Sequence, residues 1–72
     1  MIFGFLGFGK MASALVQGML QAGICNPEEI VVVNRHPEEI AEAVRKYGLK
    51  LASSPKAVVQ QAETIILGTK PA

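Results

Sequence analysis

Short apolar runs alternate along the chain with stretches whose apolar residues recur every three or four positions. Three continuous runs, at residues 2–6, 30–33 and 64–67, each end at a glycine or a polar residue, and a shorter run at 49–51 is interrupted by Lys50. The runs at 2–6 and 30–33 are typical of buried parallel strands. We therefore predict four strands at these positions.

The first stretch between strands, residues 10–22, has helical spacing. Its apolar residues are Met11, Leu15 and Met19, with Ala12, Val16 and Leu20 beside them. We expect this face, including Met11 and Met19, to lie in the core. Gly23 follows at the position where a left-handed residue commonly ends a helix.

Two further helices are predicted. Ile40, Val44 and Tyr47 form one apolar stripe, and Gly48 follows them. Ser54-Pro55 has the form of a helix cap followed by proline in the first turn, which predicts a short helix that ends near Gln61.

The order strand, helix, strand, helix, strand, helix, strand is that of half a doubly wound sheet. We predict an α/β fold of the Rossmann type, with a parallel sheet in the strand order 3-2-1-4. Residues 1–72 would form this single domain. Because a domain of this type continues beyond its fourth strand, we expect an incomplete one.

Composition and charge exclude several classes of protein. Half of the residues are apolar, 18% are charged and the formal net charge is +1, which excludes a disordered chain and argues against a nucleic-acid partner. Cys25 and His36 are the only residues of their kinds, so we expect neither an intramolecular disulfide nor a metal site. Lys10 and several glycines interrupt the apolar first 25 residues, which argues against a membrane span and favours a cytoplasmic protein.

A glycine-rich motif, Gly7-x-Gly9-x-x-Ala12, lies between the first predicted strand and the first predicted helix. Gly7 permits a tight turn, Gly9 lets backbone amides approach a pyrophosphate, and Ala12 lets the helix pack close to the sheet. The free N–H groups of the first helical turn favour an anion there, and Lys10 adds a positive charge. The motif predicts dinucleotide binding; the alternative is a tight connection that binds no ligand.

The residues after the second strand indicate which dinucleotide is bound. NAD-specific sites usually place Asp or Glu here to bind the ribose 2′-hydroxyl, whereas this chain has Asn34 and Arg35 and no carboxylate before Glu38. Asn34 can hydrogen-bond a phosphate oxygen, and Arg35 can donate two N–H groups to it or stack on adenine. This pair favours NADP, with NADPH preferred over NADH. The alternative for Arg35 is a solvent-exposed loop cation, and His36 is not expected to be a catalytic base.

The chain resembles the N-terminal domain of the pyrroline-5-carboxylate reductase family over its whole length. The likeness is carried by residues 2–20, by Asn34-Arg35, by residues 54–58 and by the segment Leu67-Gly68-Thr69-Lys70-Pro71. The family typically has Asn or Gln where this chain has Lys10, Ala-Val in place of Gly68-Thr69, and often Asn at position 54.

The resemblance implies an NADPH-dependent oxidoreductase of proline biosynthesis that reduces a small cyclic imine, 1-pyrroline-5-carboxylate. It also implies a homo-oligomer, formed through a helical C-terminal domain that holds the substrate site, so we expect no catalytic residue and no activity in residues 1–72 alone. The predicted cofactor-binding residues are Leu6, Gly7, Phe8, Gly9, Lys10, Met11, Ala12, Asn34, Arg35, Ser54, Gly68, Thr69, Lys70 and Pro71. Among them, Ser54 would approach the adenine ribose, and Lys70-Pro71 would pass the nicotinamide end.

Three other functions remain open at this point. One is a regulatory or sensor module that binds NAD(P) without turnover, another is a different dehydrogenase of the same superfamily, and the third is a structural domain with no ligand. A helical, dimer-forming segment after residue 72 would favour the enzyme, whereas a DNA-binding or transport domain would favour the sensor.

Overall fold

In the computed structural model, which describes residues 1–68, four strands alternate with three α-helices. The elements are β1 (Phe3–Leu6), α1 (Lys10–Gln21), β2 (Ile30–Val33), α2 (Pro37–Tyr47), β3 (Lys50–Leu51), α3 (Pro55–Gln61) and β4 (Thr64–Leu67). A 3₁₀ turn at Pro27–Glu29, which the sequence did not predict, precedes β2. Every predicted strand and helix is present, with small shifts at the ends of β1, α1 and β3.

The strands form one parallel sheet in the order β3-β2-β1-β4, which confirms the predicted topology. β1 lies inside the sheet, so that Leu6 is beside Val33 of β2 on one side and beside Leu67 of β4 on the other. The carboxyl ends of these three strands therefore meet at one edge. Ligands of open α/β sheets bind at this edge.

Helices cover both faces of the sheet. On the face that α1 and α2 cover, the buried cluster contains Phe5, Phe8, Ala12, Val16, Met19, Cys25, Ile30, Val32, Ile40 and Leu49. On the face that α3 covers, Val58 packs against Val31 and Val33. Because both faces are covered, all four positions of β2 are buried, which is why an unbroken run of β-branched residues forms this strand.

Gly4 lets α3 pack close to β1. A Cβ atom at this position would lie 2.5 Å from Val58 Cγ1 and 2.7 Å from the Cβ of Ala62. Carbon atoms in contact prefer separations of about 3.5–4.0 Å. With a larger residue at this position, α3 could not keep its place against the sheet.

The buried face of α1 differs from the predicted one. Ala12, Val16 and Met19 are buried, whereas Met11 is 88% exposed and Leu15 is 47% exposed, so the prediction of a core position for Met11 is wrong. The small Ala12 side chain allows the start of the helix to approach the sheet closely. Because Ala12 faces the sheet, Met11 and Leu15 lie on the side of α1 that is next to β4, along an open groove.

The first two helices end as the sequence predicts. Gly23 and Gly48 are left-handed, with φ of +73° and +72°, and the next residue in each case donates its N–H back to a helix carbonyl, Ile24 to Met19 (3.1 Å) and Leu49 to Val44 (2.9 Å). Such bonds satisfy carbonyl groups that the last helical turn leaves open. No helix formed by residues 1–68 has the length and apolar character needed to cross a bilayer.

Candidate functional site

The loop between β1 and α1 is held at the carboxyl edge of the sheet by hydrogen bonds to both neighbouring strands. The Gly7 N–H donates to the carbonyl oxygen of Val33 (2.9 Å), and the Gly9 N–H donates to that of Gly68 (3.3 Å). Gly7 has φ of +87°, a conformation in which residues with a side chain are strained. Gly7 therefore forms the tight turn of the motif.

The start of α1 presents backbone N–H groups that are free to bind a ligand. Among residues 1–68, the N–H groups of Lys10, Met11 and Ala12 have no hydrogen-bond partner, as is usual in the first turn of a helix. They form the positive end of the helix dipole. A Cβ atom on Gly9 would lie 3.4 Å from the Gly68 carbonyl oxygen, an ordinary contact, so the protein leaves room beside this residue. These features suit an anionic group such as a pyrophosphate.

The motif residues Phe8 and Ala12 point into the core. Phe8 is buried and packs edge to face against Phe5, with the ring centroids 5.9 Å apart. Ala12 is buried against the sheet. Both residues can therefore reach a ligand only through the backbone, whereas Lys10 and Met11 expose their side chains.

A cleft of about 540 Å³ opens beside the turn. Its lining consists of Leu6, Gly7, Val33, Asn34, Arg35, Ser53 and Pro55. Arg35 is exposed, and no carboxylate of the described residues lies within 4.0 Å of its guanidinium group. Among the described residues, no acidic side chain lines the cleft. The structure thus brings Leu6, Gly7, Asn34 and Arg35, which the sequence singled out, around one positively charged cleft.

The Asn34 side chain connects two loops of the site. Its Oδ1 accepts a hydrogen bond from the Phe8 N–H (3.2 Å), and its Nδ2 donates to the carbonyl oxygen of His36 (3.0 Å). The amide oxygen is therefore engaged by the protein itself. Beyond the second loop, His36 Nδ1 lies 3.7 Å from Glu38 Oε1 on the exposed start of α2.

Ser54 and Ser53 have different places at the site. The Ser54 Oγ accepts the N–H of Ala57 (3.2 Å) and caps α3, as the Ser54-Pro55 pattern predicts, whereas Ser53 lines the cleft. Sequence reasoning missed Ser53 as a site residue. The sequence does offer an indication of Ser53, because both serines follow β3 at the carboxyl edge of the sheet and the helix cap uses only Ser54.

Gly68 closes the site on the side of β4. Its N–H donates to the carbonyl oxygen of Leu6 (2.9 Å), and a Cβ atom here would overlap the carbonyl oxygen of Gly7. The remaining predicted site residues, Thr69, Lys70 and Pro71, lie outside the described residues.

Cys25 lies away from this site. It precedes β2, at the opposite edge of the sheet, and is buried. Burial is the main cause that raises the pKa of its thiol, followed by the charge of Glu29. The thiol therefore stays protonated at neutral pH and takes no part in the cleft.

Several known proteins are similar to this chain over 94% of its length. They are pyrroline-5-carboxylate reductase of Methanosarcina acetivorans (35% identical over 68 residues), pyrroline-5-carboxylate reductase 2 of Bacillus subtilis (36% over 69) and pyrroline-5-carboxylate reductase of Escherichia coli (32% over 68). The chain spans about a quarter of the length of each of these relatives (25%). They confirm the resemblance drawn from the sequence.

A family model matches residues 2–72, which is nearly the whole chain. Its description joins an oxidoreductase activity with a dinucleotide, and this agrees with the glycine turn, the free N–H groups of α1 and the parallel sheet. The chain belongs to the family described as NADP oxidoreductase coenzyme F420-dependent.

Proposed function

We propose that this chain forms the NADPH-binding part of an enzyme that reduces 1-pyrroline-5-carboxylate to proline. The observation that carries the proposal is the juxtaposition of two sites for anions: the free N–H groups at the start of α1 and the Arg35 guanidinium in the adjoining cleft. The relatives named as pyrroline-5-carboxylate reductases support the choice of substrate. A homo-oligomeric assembly and a cytoplasmic location belong to the same proposal.

The residues present fit a dinucleotide. The N–H groups of Lys10 and Met11 would bind the pyrophosphate, and the space beside Gly9 would let it approach the backbone. Phe8 and Ala12 support this turn from the core rather than touching the ligand with their side chains. When bound, NADPH supplies the hydride that reduces the carbon of the imine.

The preference for NADPH rests on Arg35. A 2′-phosphate carries about −1.5 to −2 charges at neutral pH, by analogy with phosphorylated side chains. Arg35 has no carboxylate partner among residues 1–68 and no acidic side chain lines its cleft, so its charge is available to that phosphate. A hydrogen bond between charged groups of this kind contributes about 1.5–3 kcal/mol.

The test of this preference is the pair of dissociation constants for NADPH and NADH, measured by cofactor fluorescence at fixed salt in the full-length protein. Arg35→Ala should weaken NADPH binding about tenfold to a hundredfold and NADH binding little. Arg45→Ala, at an exposed position in the last turn of α2, is the matched control and should change neither constant. Equal losses for both cofactors in Arg35→Ala would mean that Arg35 does not recognise the phosphate.

The proposed reaction is tested separately from binding. The full-length protein should oxidise NADPH when 1-pyrroline-5-carboxylate is added and form proline in equal amount. Tight NADPH binding with no such turnover would favour the regulatory module, and turnover with other imines or carbonyl compounds alone would favour a different dehydrogenase.

A further inference from the structure

The Asn34 side chain occupies a position between two backbone segments that must both be correctly placed for the proposed site to form. It follows β2 directly, is partly buried, and joins the Phe8 N–H to the His36 carbonyl oxygen through its own amide. The first segment is the glycine turn and the second carries Arg35. One amide group therefore ties together the two parts of the site.

The glycine turn depends on this amide because of how its N–H groups are paired. The N–H groups of Gly7 and Gly9 donate to backbone carbonyls of Val33 and Gly68, whereas the N–H of Phe8 donates to a side chain. If Asn34 were truncated, this part-buried N–H would lose its partner. The Phe8 ring is buried against Phe5, which holds the N–H in place. An unpaired buried donor is unfavourable, and the turn would shift to find another acceptor or water.

We propose that Asn34 is a positioning residue that holds the glycine turn, through its hydrogen bond with the Phe8 N–H, in the geometry that binds the dinucleotide. This inference rests on the proposed function. It assigns Asn34 a role different from the one predicted from the sequence, in which its amide binds a phosphate oxygen. Asn34 acts on the pyrophosphate end through the turn, and therefore on NADPH and NADH alike, while Arg35 distinguishes between them.

The first test replaces Asn34 with Ala in the full-length protein and measures the dissociation constants of NADPH and NADH by calorimetry. Both constants should rise by the same factor, about tenfold, which corresponds to about 1.4 kcal/mol, so that their ratio stays at the wild-type value. Asn26→Ala is the matched control and should change neither constant, because Asn26 is an exposed asparagine that caps the 3₁₀ turn before β2, at the opposite edge of the sheet from the cleft. Circular dichroism establishes that each variant is folded.

The ratio of the two constants separates the possible outcomes. A loss confined to NADPH would overturn the proposal and return Asn34 to phosphate recognition, with the proposed function intact. Unchanged affinity for both cofactors would also overturn it. Failure of the wild-type protein to bind either cofactor would instead overturn the proposed function, and this inference with it.

Asn34→Asp can still contradict the proposal if the alanine variant does not fold. A carboxylate retains the acceptor for the Phe8 N–H but loses the donor to His36, and its charge repels a nearby phosphate. NADH affinity should therefore stay within about twofold of wild type, with the Phe8 amide proton still protected from exchange with solvent, while NADPH affinity falls. A loss of NADH affinity as large as that of NADPH would contradict a positioning role for Oδ1.

Discussion

The carbonyl oxygen of Gly68 accepts a hydrogen bond from the N–H of Gly9 at 3.3 Å. The bond joins the end of β4 to the glycine turn that follows β1. Gly68 can lie this close because it has no side chain, since a Cβ atom there would overlap the carbonyl oxygen of Gly7. The Gly9 N–H is thereby used within the fold, which leaves the next N–H groups, at the start of α1, to bind a ligand.

Substitution of Gly9 should affect binding more than folding. Gly9 has φ of −83°, which any residue can adopt, and a Cβ atom would find ordinary contact. Gly9→Ala should therefore change the free energy of unfolding by less than about 1 kcal/mol. Gly9→Val should weaken NADPH binding by at least about tenfold, because the branched side chain would occupy the space proposed for the pyrophosphate. Denaturant unfolding and a fluorescence titration measure the two effects.

Gly7→Ala is the comparison for this prediction. Its φ of +87° strains a residue with a side chain, so stability should fall together with affinity. If Gly9→Ala destabilises the fold as much as Gly7→Ala does, Gly9 serves the turn rather than the ligand.

The two serines after β3 should give opposite results. Ser54→Ala removes the oxygen that accepts the Ala57 N–H and should lower the free energy of unfolding by about 1 kcal/mol, with little change in cofactor affinity. Ser53→Ala should leave stability unchanged and weaken NADPH binding, since Ser53 lines the cleft beside Arg35. A loss of affinity in Ser54→Ala alone would support the ribose contact that the sequence predicts for Ser54.

Gly4→Ala should destabilise the protein. The added methyl group would press on Val58 and Ala62, and overpacking of this kind costs about 1–3 kcal/mol. Gly18→Ala is the matched control: nothing lies within 4 Å of a Cβ atom there, and the same substitution inside a helix should stabilise by about 0.4–1 kcal/mol. Thermal unfolding of both variants measures the difference, and equal effects would contradict close packing of α3 on β1.

The contact between Glu29 and the amino terminus should make stability depend on pH at both ends of the range. The Glu29 Oε2 lies 3.0 Å from the Met1 ammonium group. The Asn26 N–H, followed by this ammonium, lowers the pKa of Glu29 below its ordinary 4.5, and the hydrogen bond to Glu29 raises the pKa of the ammonium above 8.0. The ion pair therefore contributes fully to the free energy of unfolding between about pH 4.5 and pH 8.0. Its contribution is lost below the lowered pKa of Glu29 and above the raised pKa of the ammonium group.

Glu29→Gln tests this dependence, because glutamine keeps the acceptor for the Asn26 N–H and removes the charge. Its Tm should lie below that of wild type between pH 4.5 and 8.0 and approach it at more acidic and more alkaline pH. The effect should be small, since both groups are solvent-accessible. Glu28→Gln, at the exposed neighbouring position, is the matched control. The same pH dependence of the Tm in both variants would exclude the ion pair as its source.

The strands were predictable where burial on both faces leaves no choice of pattern. β2 has the predicted bounds because an unbroken β-branched run fits a strand that helices cover on both faces. β4 also has the predicted bounds, although it lies at the edge of the sheet and most of its residues are exposed. The face of α1 was not predictable in the same way. Two apolar stripes run side by side along it, and only the close approach that Ala12 allows decides which one is buried.

The site was predictable from its backbone requirements and less so from its side chains. The glycine spacing identifies the turn and the ligand class, because few residues can adopt the conformation of Gly7. The hydrogen bond from the Phe8 N–H to Asn34 joins residues 26 positions apart in sequence, and no local pattern indicates it. Ser53 was not predicted as a residue of the cleft, because the capping pattern in the sequence points to Ser54.

The pairing of β1 with both β2 and β4 has a consequence for the order of folding. β1 meets β2 after one helical crossover, but it meets β4 only when residues 61 positions apart come together, as in the hydrogen bond from the Glu63 N–H to the Ile2 carbonyl oxygen (2.9 Å). The longer loop has the larger closure entropy, and contacts between distant residues form slowly. On a ribosome, β1, β2 and α1 can associate before β4 is synthesised, so the edge of β1 that β4 covers is protected from solvent exchange later than the edge that β2 covers.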